Sequence, residues 1–171
     1  MGTNPPSLDQ TGLYTEACTL ERDRFGGGGS IMVWCGVSQH HQTELVVIAG
    51  NLNAVRYRED ILLSHVVLFL QAHPDMTLQH DNVTSHTARP VRDFLQDRNV
   101  SVLPWPAKSP DLNPIEHVWD RRVRPRAIPP SNVRELAGAL VEEWGNISQQ
   151  ELANLVQSMR RRCTADTDCY F

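Results

Sequence analysis

Apolar positions along this chain recur with two periods, close to two and close to 3.6, and the switches between them mark out its elements. Ser30 to Ser38 (Ser-Ile-Met-Val-Trp-Cys-Gly-Val-Ser) has the β-branched and aromatic content of a buried strand. Leu45 to Ile48 follows a polar turn at 39–42, so the two runs predict an antiparallel hairpin. From Ala54 to Ala72, apolar residues at Val55, Ile61, Leu62, Val66, Leu68, Phe69 and Leu70 predict a helix with a wide buried face. Asn53 is its expected N-cap and His73-Pro74 its stop. Met76 to Asp81 predicts a third strand. A helix capped by Thr84 or Ser85 then runs to Asn99, with Val91, Phe94 and Leu95 inward, and Val100 to Leu103 is a fourth strand. Prolines at 104, 106 and 110 hold an extended approach to a helix opened by Asn113 as cap and Pro114 at its first position, where a missing N–H costs nothing. That helix is expected to end at Arg124-Pro125.

Two more helices close the chain. One begins at Ser131 or Asn132 and carries Val133, Leu136, Leu140, Val141 and Trp144 as its stripe. The other starts at a capping box of Ser148 and Glu151 and buries Leu152, Leu155, Val156 and Met159. Residues 1–12 lack periodicity and read as a disordered leader, and 164–171 as a loose tail. Tyr14 to Phe25 shows mixed charge and little pattern, and Gly26 to Gly29 reads as a flexible break. One domain over 13–163 is the expected organisation.

Composition narrows the class. The 171 residues are long enough for one domain with a real core, and 40% of them are hydrophobic. A net charge of −4 excludes a polybasic nucleic-acid binder as a whole. Basic residues nevertheless cluster at Arg121, Arg122, Arg124 and Arg126 and at Arg160, Arg161 and Arg162, which are either solvated helix ends or phosphate contacts. The four cysteines form no CxxC pair and have no His at zinc-like spacing, so free thiols are expected. The longest near-apolar run, Val66 to Leu70, is far too short to span a bilayer, and no secretory signal is read at the N-terminus. These features lead to the expectation of a soluble intracellular protein.

The chemistry centres on two carboxylates. Asp81 ends the third strand, and Glu116 is the third residue of the helix at Pro114, with 34 residues between them. That distance holds one helix and one strand of an α/β sheet, and such sheets place ligands at the carboxyl ends of their strands. Two converging carboxylates suit a hard divalent cation such as Mg²⁺. Each residue also has a plainer role. A strand-terminal Asp is a common loop feature, acids are favoured in a first helical turn by the helix dipole, and His86 reads more readily as capping decoration than as a base. Asp111 reads as a turn residue of the proline-rich approach.

The pieces Phe25-Gly-Gly-Gly-Gly-Ser-Ile-Met-Val-Trp34, Gly50-Asn-Leu-Asn-Ala54, Gln79-His-Asp-Asn82, Ser85-His86, Trp105-Pro106 and Ser109-Pro-Asp-Leu-Asn-Pro-Ile-Glu-His-Val-Trp119 resemble the catalytic domain of mariner-superfamily (Tc-type) DDE transposases. Trp144, Ile147 and Ser158-Met-Arg-Arg-Arg-Cys163 resemble its end, so the resemblance covers about 13–163. It implies an α/β, ribonuclease-H-like mixed sheet with flanking helices and strand order 3-2-1-4-5. It implies two Asp and one Glu holding Mg²⁺ or Mn²⁺, for hydrolysis and strand transfer at DNA phosphodiesters in cut-and-paste transposition.

By motif, Asp81 matches the second Asp and Glu116 the final acid, as catalytic and metal-holding residues. Asn82, His86, Pro110, Asp111, Asn113 and Pro114 are the expected loop-positioning residues. Arg121, Arg122, Arg124, Arg160, Arg161 and Arg162 are the expected DNA contacts. The expected partner is transposon-end DNA, with a homo-oligomer or a strand-donating chain, no membrane and no small-molecule substrate. The expected location is the nucleus.

Two departures stand out. The Asp-Glu-Ser segment that would supply the first Asp on a central strand has no counterpart, so that strand is expected to be missing and the chemistry incomplete. In that case the hairpin 30–48 would dock through helix 54–72 and loops, or strands 2 and 4 would pair directly, or another chain would donate a strand. The run Trp119-Asp-Arg-Arg122 also lacks about three residues usual before the arginines, which shifts the helix face they occupy. A DNA- or protein-binding module without catalysis, or a degenerate remnant of a transposon, is the alternative expectation.

Overall fold

The computed structural model describes residues 12–21, 30–80, 83–103, 114–123 and 131–165. Four strands form a mixed sheet: β1 (Gly12–Glu21), β2 (Ser30–Val37), β3 (Val46–Ile48) and β4 (Thr77–Gln79), in the order β3-β2-β1-β4. The place beside β4 that the sequence left vacant is therefore filled. Residues 12–21 pair antiparallel with β2 over eight positions, from Tyr14↔Val37 to Glu21↔Ser30, and parallel with β4 from Gly12↔Thr77 to Tyr14↔Gln79. Strands β2 and β4 do not meet, and the hairpin docks through a full ladder rather than through helix and loops. The strand escaped notice because the polar residues of Gly-Leu-Tyr-Thr-Glu-Ala-Cys-Thr-Leu-Glu, at 15, 16, 19 and 21, follow no period of two, yet Leu13, Tyr14 and Thr15 are all buried. A strand covered on both faces buries successive side chains on opposite sides, Leu13 in one core and Tyr14 in the other. A fifth position is marked by a parallel bridge, Leu78↔Val102, in which Leu78 N donates to Ser101 O at 2.9 Å and Leu103 N to Leu78 O at 2.9 Å.

Helices cover both faces. On one face lie α1 (Ala54–Arg56), a π-helical stretch Tyr57–Val66, α2 (Val67–Ala72), α3 (Thr84–Thr87) and α4 (Arg89–Asp97). They pack Tyr57, Ile61, Leu62, Val66, Val91 and Leu95 against Leu13, Trp34, Ile48 and Leu78 of the sheet. On the other lie α5 (Pro114–Arg122), α6 (Val133–Gly145) and α7 (Gln149–Ala165). Their Ile115, Val118, Trp119, Leu136, Leu140 and Leu152 meet Tyr14, Ile31, Val33, Cys35 and Val37. Odd and even residues of β2 thus enter opposite cores, which explains its near-continuous apolar sequence. Gly36 is closely surrounded: a Cβ there would meet Leu13 Cδ1, Thr15 Cγ2 and Thr43 Cγ2, each at 3.2 Å.

The expected caps at Asn53 and Asn132 are present, accepting from Arg56 N at 2.9 Å and Glu135 N at 2.8 Å. The Ser148–Glu151 box closes with Glu151 N donating to Ser148 Oγ at 3.2 Å. Two expectations differ. Val83, extended and without a side-chain cap, precedes α3 where Thr84 or Ser85 was expected to cap. The single helix expected up to Asn99 breaks at extended Ala88, because Pro90 has no N–H to give to the His86 carbonyl. Thr164 and Ala165, expected in the loose tail, belong to α7, and the rest of that tail lies outside the described residues. Of the leader expected at 1–12, Gly12 opens β1 and the rest lies outside the described residues, as do the glycine run and the proline-rich approach at 104–113.

Candidate active site

Strand β4 ends at Gln79, and His80 follows as a buried residue immediately before Asp81. The strand end is held from two directions. Thr15 of β1 donates its hydroxyl to the Gln79 carbonyl at 2.9 Å, in the interior. A 2.8 Å hydrogen bond joins Tyr57 Oη and His80 Nδ1, also buried. His86 of α3 is 2% exposed, and its ring stacks on Tyr57 (centroids 4.0 Å apart) and on His80 (5.2 Å, planes 12° apart). The residue read as capping decoration is therefore one plate of a three-ring stack, and Tyr57 is a site-adjacent residue that the sequence did not flag. Its partner lies 23 positions away, and its direction depends on a π-helical turn, so spacing gives no hint of it.

Glu116 is the third residue of α5, whose first residue is Pro114 as expected. Helix α5 lies against β1 and β2, with Ile115 fully buried and Val118 and Trp119 3% exposed. Asp81, Asn82, Pro110, Asp111, Asn113 and Arg124 lie outside the described residues, and so do the side chains of Glu116, Arg160, Arg161 and Arg162. Among the described residues no group of three or more His, Cys, Asp or Glu converges as a metal site. The donor chemistry on offer, a carboxylate after β4 and another in the first turn of a helix packed on the same sheet, suits a hard oxygen-seeking cation rather than zinc. Strand β1 contains no aspartate; its acids are Glu16 and Glu21.

The arginines of α5 part ways. Arg121 is exposed. Arg122 is drawn into the fold: it pairs with Glu143 of α6 at 3.3 Å and with Glu151 of α7. The hydrogen bond to Glu151 holds its guanidinium proton above the usual range, outweighing burial, with Glu151's charge and then Glu143 adding to the effect. An open cleft of about 420 Å³ lies here, lined by Val118, Arg121, Arg122, Glu143, Glu151 and Asn154. Its mixed charge sets it apart from a phosphate groove.

A mixed sheet of this order, covered by helices on both faces and carrying an acid just past its fourth strand, defines a ribonuclease-H-like domain. The chain belongs to the DDE superfamily endonucleases, whose family model matches residues 16–127. It is homologous to the Tc1/mariner transposases: the Tc3 transposase of Caenorhabditis elegans is 31% identical over 157 residues, 88% of this chain and 46% of that protein. The chain thus spans about half the length of the curated relatives it matches. Among solved structures, the Mos1 transposase catalytic domain with Raltegravir and Mg superposes at a TM-score of 0.76, with 23% identity over 96% of this chain and 86% of that one. The Mos1 paired-end complex with left transposon end superposes at 0.77, with 21% identity over 97% and 58%. Mos1 is the mariner transposase of Drosophila mauritiana.

Proposed function

We propose that this domain engages transposon-end DNA in the nucleus and is held short of full strand-transfer chemistry by an incomplete set of acids. The observation that carries the reading is β1. It occupies the central place of the sheet, where the resemblance calls for an aspartate, and has none. Asp81 and Glu116 would hold one divalent ion, Mg²⁺ or Mn²⁺. When bound, such an ion polarises a phosphodiester and lowers the pKa of its water. The chain's own part is to supply the two carboxylates, one in the segment after β4 and one in the first turn of α5, two elements of the same sheet-and-helix unit. DNA and oligomeric partners are supported by the Mos1 paired-end complex, the relative solved with a transposon end. The test is cleavage of transposon-end duplex by the purified chain with Mg²⁺ or Mn²⁺. Little or no nicking is expected. Robust metal-dependent nicking that Asp81→Ala abolishes would overturn the incompleteness.

A DNA-binding role without catalysis is the second reading, favoured by the exposure of Arg121 at the end of α5. Binding that weakens linearly on a log-log plot against salt, with a slope reduced by Arg121→Ala, supports it. Affinity indifferent to Arg121, Arg124 and Arg160–Arg162 removes it.

A further inference from the structure

Strand β3 lies at an edge of the sheet. Among the described residues only β2 pairs with it, from Met32↔Ile48 to Trp34↔Val46. Sheet edges are ordinarily blunted by charges, prolines or bulges. Here Leu45-Val-Val-Ile-Ala49 carries no charge and no proline, and Val47 is 46% exposed. Val46 and Ile48 turn to the core shared with the π-helical stretch, so Val47 between them faces the α6 side of the sheet. An open groove of about 750 Å³ lies on that side, lined by Ile31, Val47, Ala49, Val133, Arg134 and Ala137. We infer that this edge is an interface between two copies of the chain, paired antiparallel about a two-fold axis at Val47.

Symmetry and charge together select a second copy as the occupant. Val47 is the middle residue of β3, so the strand overlaps its own copy in full only at that register. A two-fold interface uses the same patch twice and must therefore complement itself. At this register Val47 meets Val47 of the second copy, with about 5 Å between Cβ atoms, and Val46 meets Ile48. Three residues out from the axis, Glu44 of one copy falls against the turn at 49–51 of the other. Glu44 pairs with His65 of the π-helical stretch at 3.1 Å and its side chain is 74% exposed, so it stands on the helical face opposite α6. Arg56 lies on the same face at that turn, where its Nη1 donates to the Ala49 carbonyl at 2.6 Å and the Asn51 carbonyl at 2.7 Å. The pairing thus brings an acid of each copy to an arginine of the other, twice. A few ladder bonds, one valine contact and two exposed ion pairs place this association in the weak, transient class.

The experiment is sedimentation velocity on the whole chain from about 1 µM to 1 mM, without DNA or metal, so its outcome is independent of the chemistry proposed above. A monomer–dimer equilibrium is expected that weakens as salt is raised. Val47→Lys sets two cations face to face on the axis and is expected to weaken the dimer at least about tenfold. Glu44→Lys turns each attraction to Arg56 into a repulsion and is expected to weaken it about fivefold, with part of the loss recovered at high salt. Leu68→Lys, at a 60% exposed position of α2, is the control and is expected to change nothing. If Val47→Lys does not fold, Glu44→Lys alone decides. A chain that stays monomeric throughout overturns the inference, whether its edge is vacant or kept for an extended segment of another protein. A dimer that either folded edge variant leaves intact also overturns it.

Discussion

Thr15 and Gln79 are joined across the β1–β4 pair by a hydroxyl-to-carbonyl hydrogen bond of 2.9 Å, at the last pairs of the parallel ladder. This bond ends the β1–β4 seam beside the candidate site. Thr15→Val keeps the shape of the side chain and removes its donor, leaving a buried carbonyl short of a partner. It should lower stability by about 1–2 kcal/mol. Urea unfolding checks this: the midpoint falls while the slope is preserved, and Thr15→Ser recovers most of the loss.

At Gly36 three buried side-chain carbons, of Leu13, Thr15 and Thr43, lie 3.2 Å from where a Cβ would stand. Gly36→Ala should therefore cost about 1–3 kcal/mol by overpacking, although alanine is otherwise harmless in a strand. Thermal unfolding measures it. Gly138→Ala, with open space around the added methyl, should show no loss.

Arg121 and Arg122 are neighbours in sequence with separate tasks. Arg122→Ala strands Glu143 and Glu151 without their cation and should lower stability by about 1 kcal/mol, less at high salt. Arg121→Ala should leave the melting temperature unchanged and weaken DNA binding, with a shallower salt dependence. Melting curves and salt-titrated DNA binding on both variants separate the two roles.

His41 ties the β2–β3 turn to the end of α2. Its ring lies 4.2 Å from His73 and 6.3 Å from Phe69. Although much of the residue is exposed, packing against those rings costs the charged form solvent, and the charges of His73 and then His40 add to it, holding its pKa below 6.5. Above pH 6.5 the ring is neutral whether the chain is folded or not. As pH falls below 6.5 the unfolded chain takes up the proton first, so stability declines toward the lower folded pKa. A comparison of melting temperatures at pH 7.5 and 5.5 should show a loss that is smaller in His41→Gln.

Much of this architecture was legible because its signals are local. The apolar run of β2 announced a doubly buried strand, Asn53, Asn132 and the Ser148–Glu151 box announced their helices, and Pro114 marked the start of α5. The central strand was missed because burial there comes from neighbours on both sides and not from its own hydrophobicity. Thr15 is 2% exposed yet reads as polar. The Arg122 pairing and the Tyr57–His80 hydrogen bond depend on residues brought together over 21 to 29 positions by tertiary packing, and no spacing rule encodes such contacts. The acids were visible as motif residues, whereas the exposure of Arg121 and the pairing of Arg122 follow from how α6 and α7 pack beside α5.

The parallel ladder between β1 and β4 also has a kinetic meaning. The hairpin of β1 and β2 closes over a short loop from Glu21 to Ser30, whereas Thr15 and Gln79 are 64 positions apart. Closing the longer loop costs more chain entropy before any contact repays it. The antiparallel side of the sheet is thus expected to assemble first and β4 to dock late, so the strand that leads toward Asp81 is the last to form during folding and among the first to open when the domain loosens.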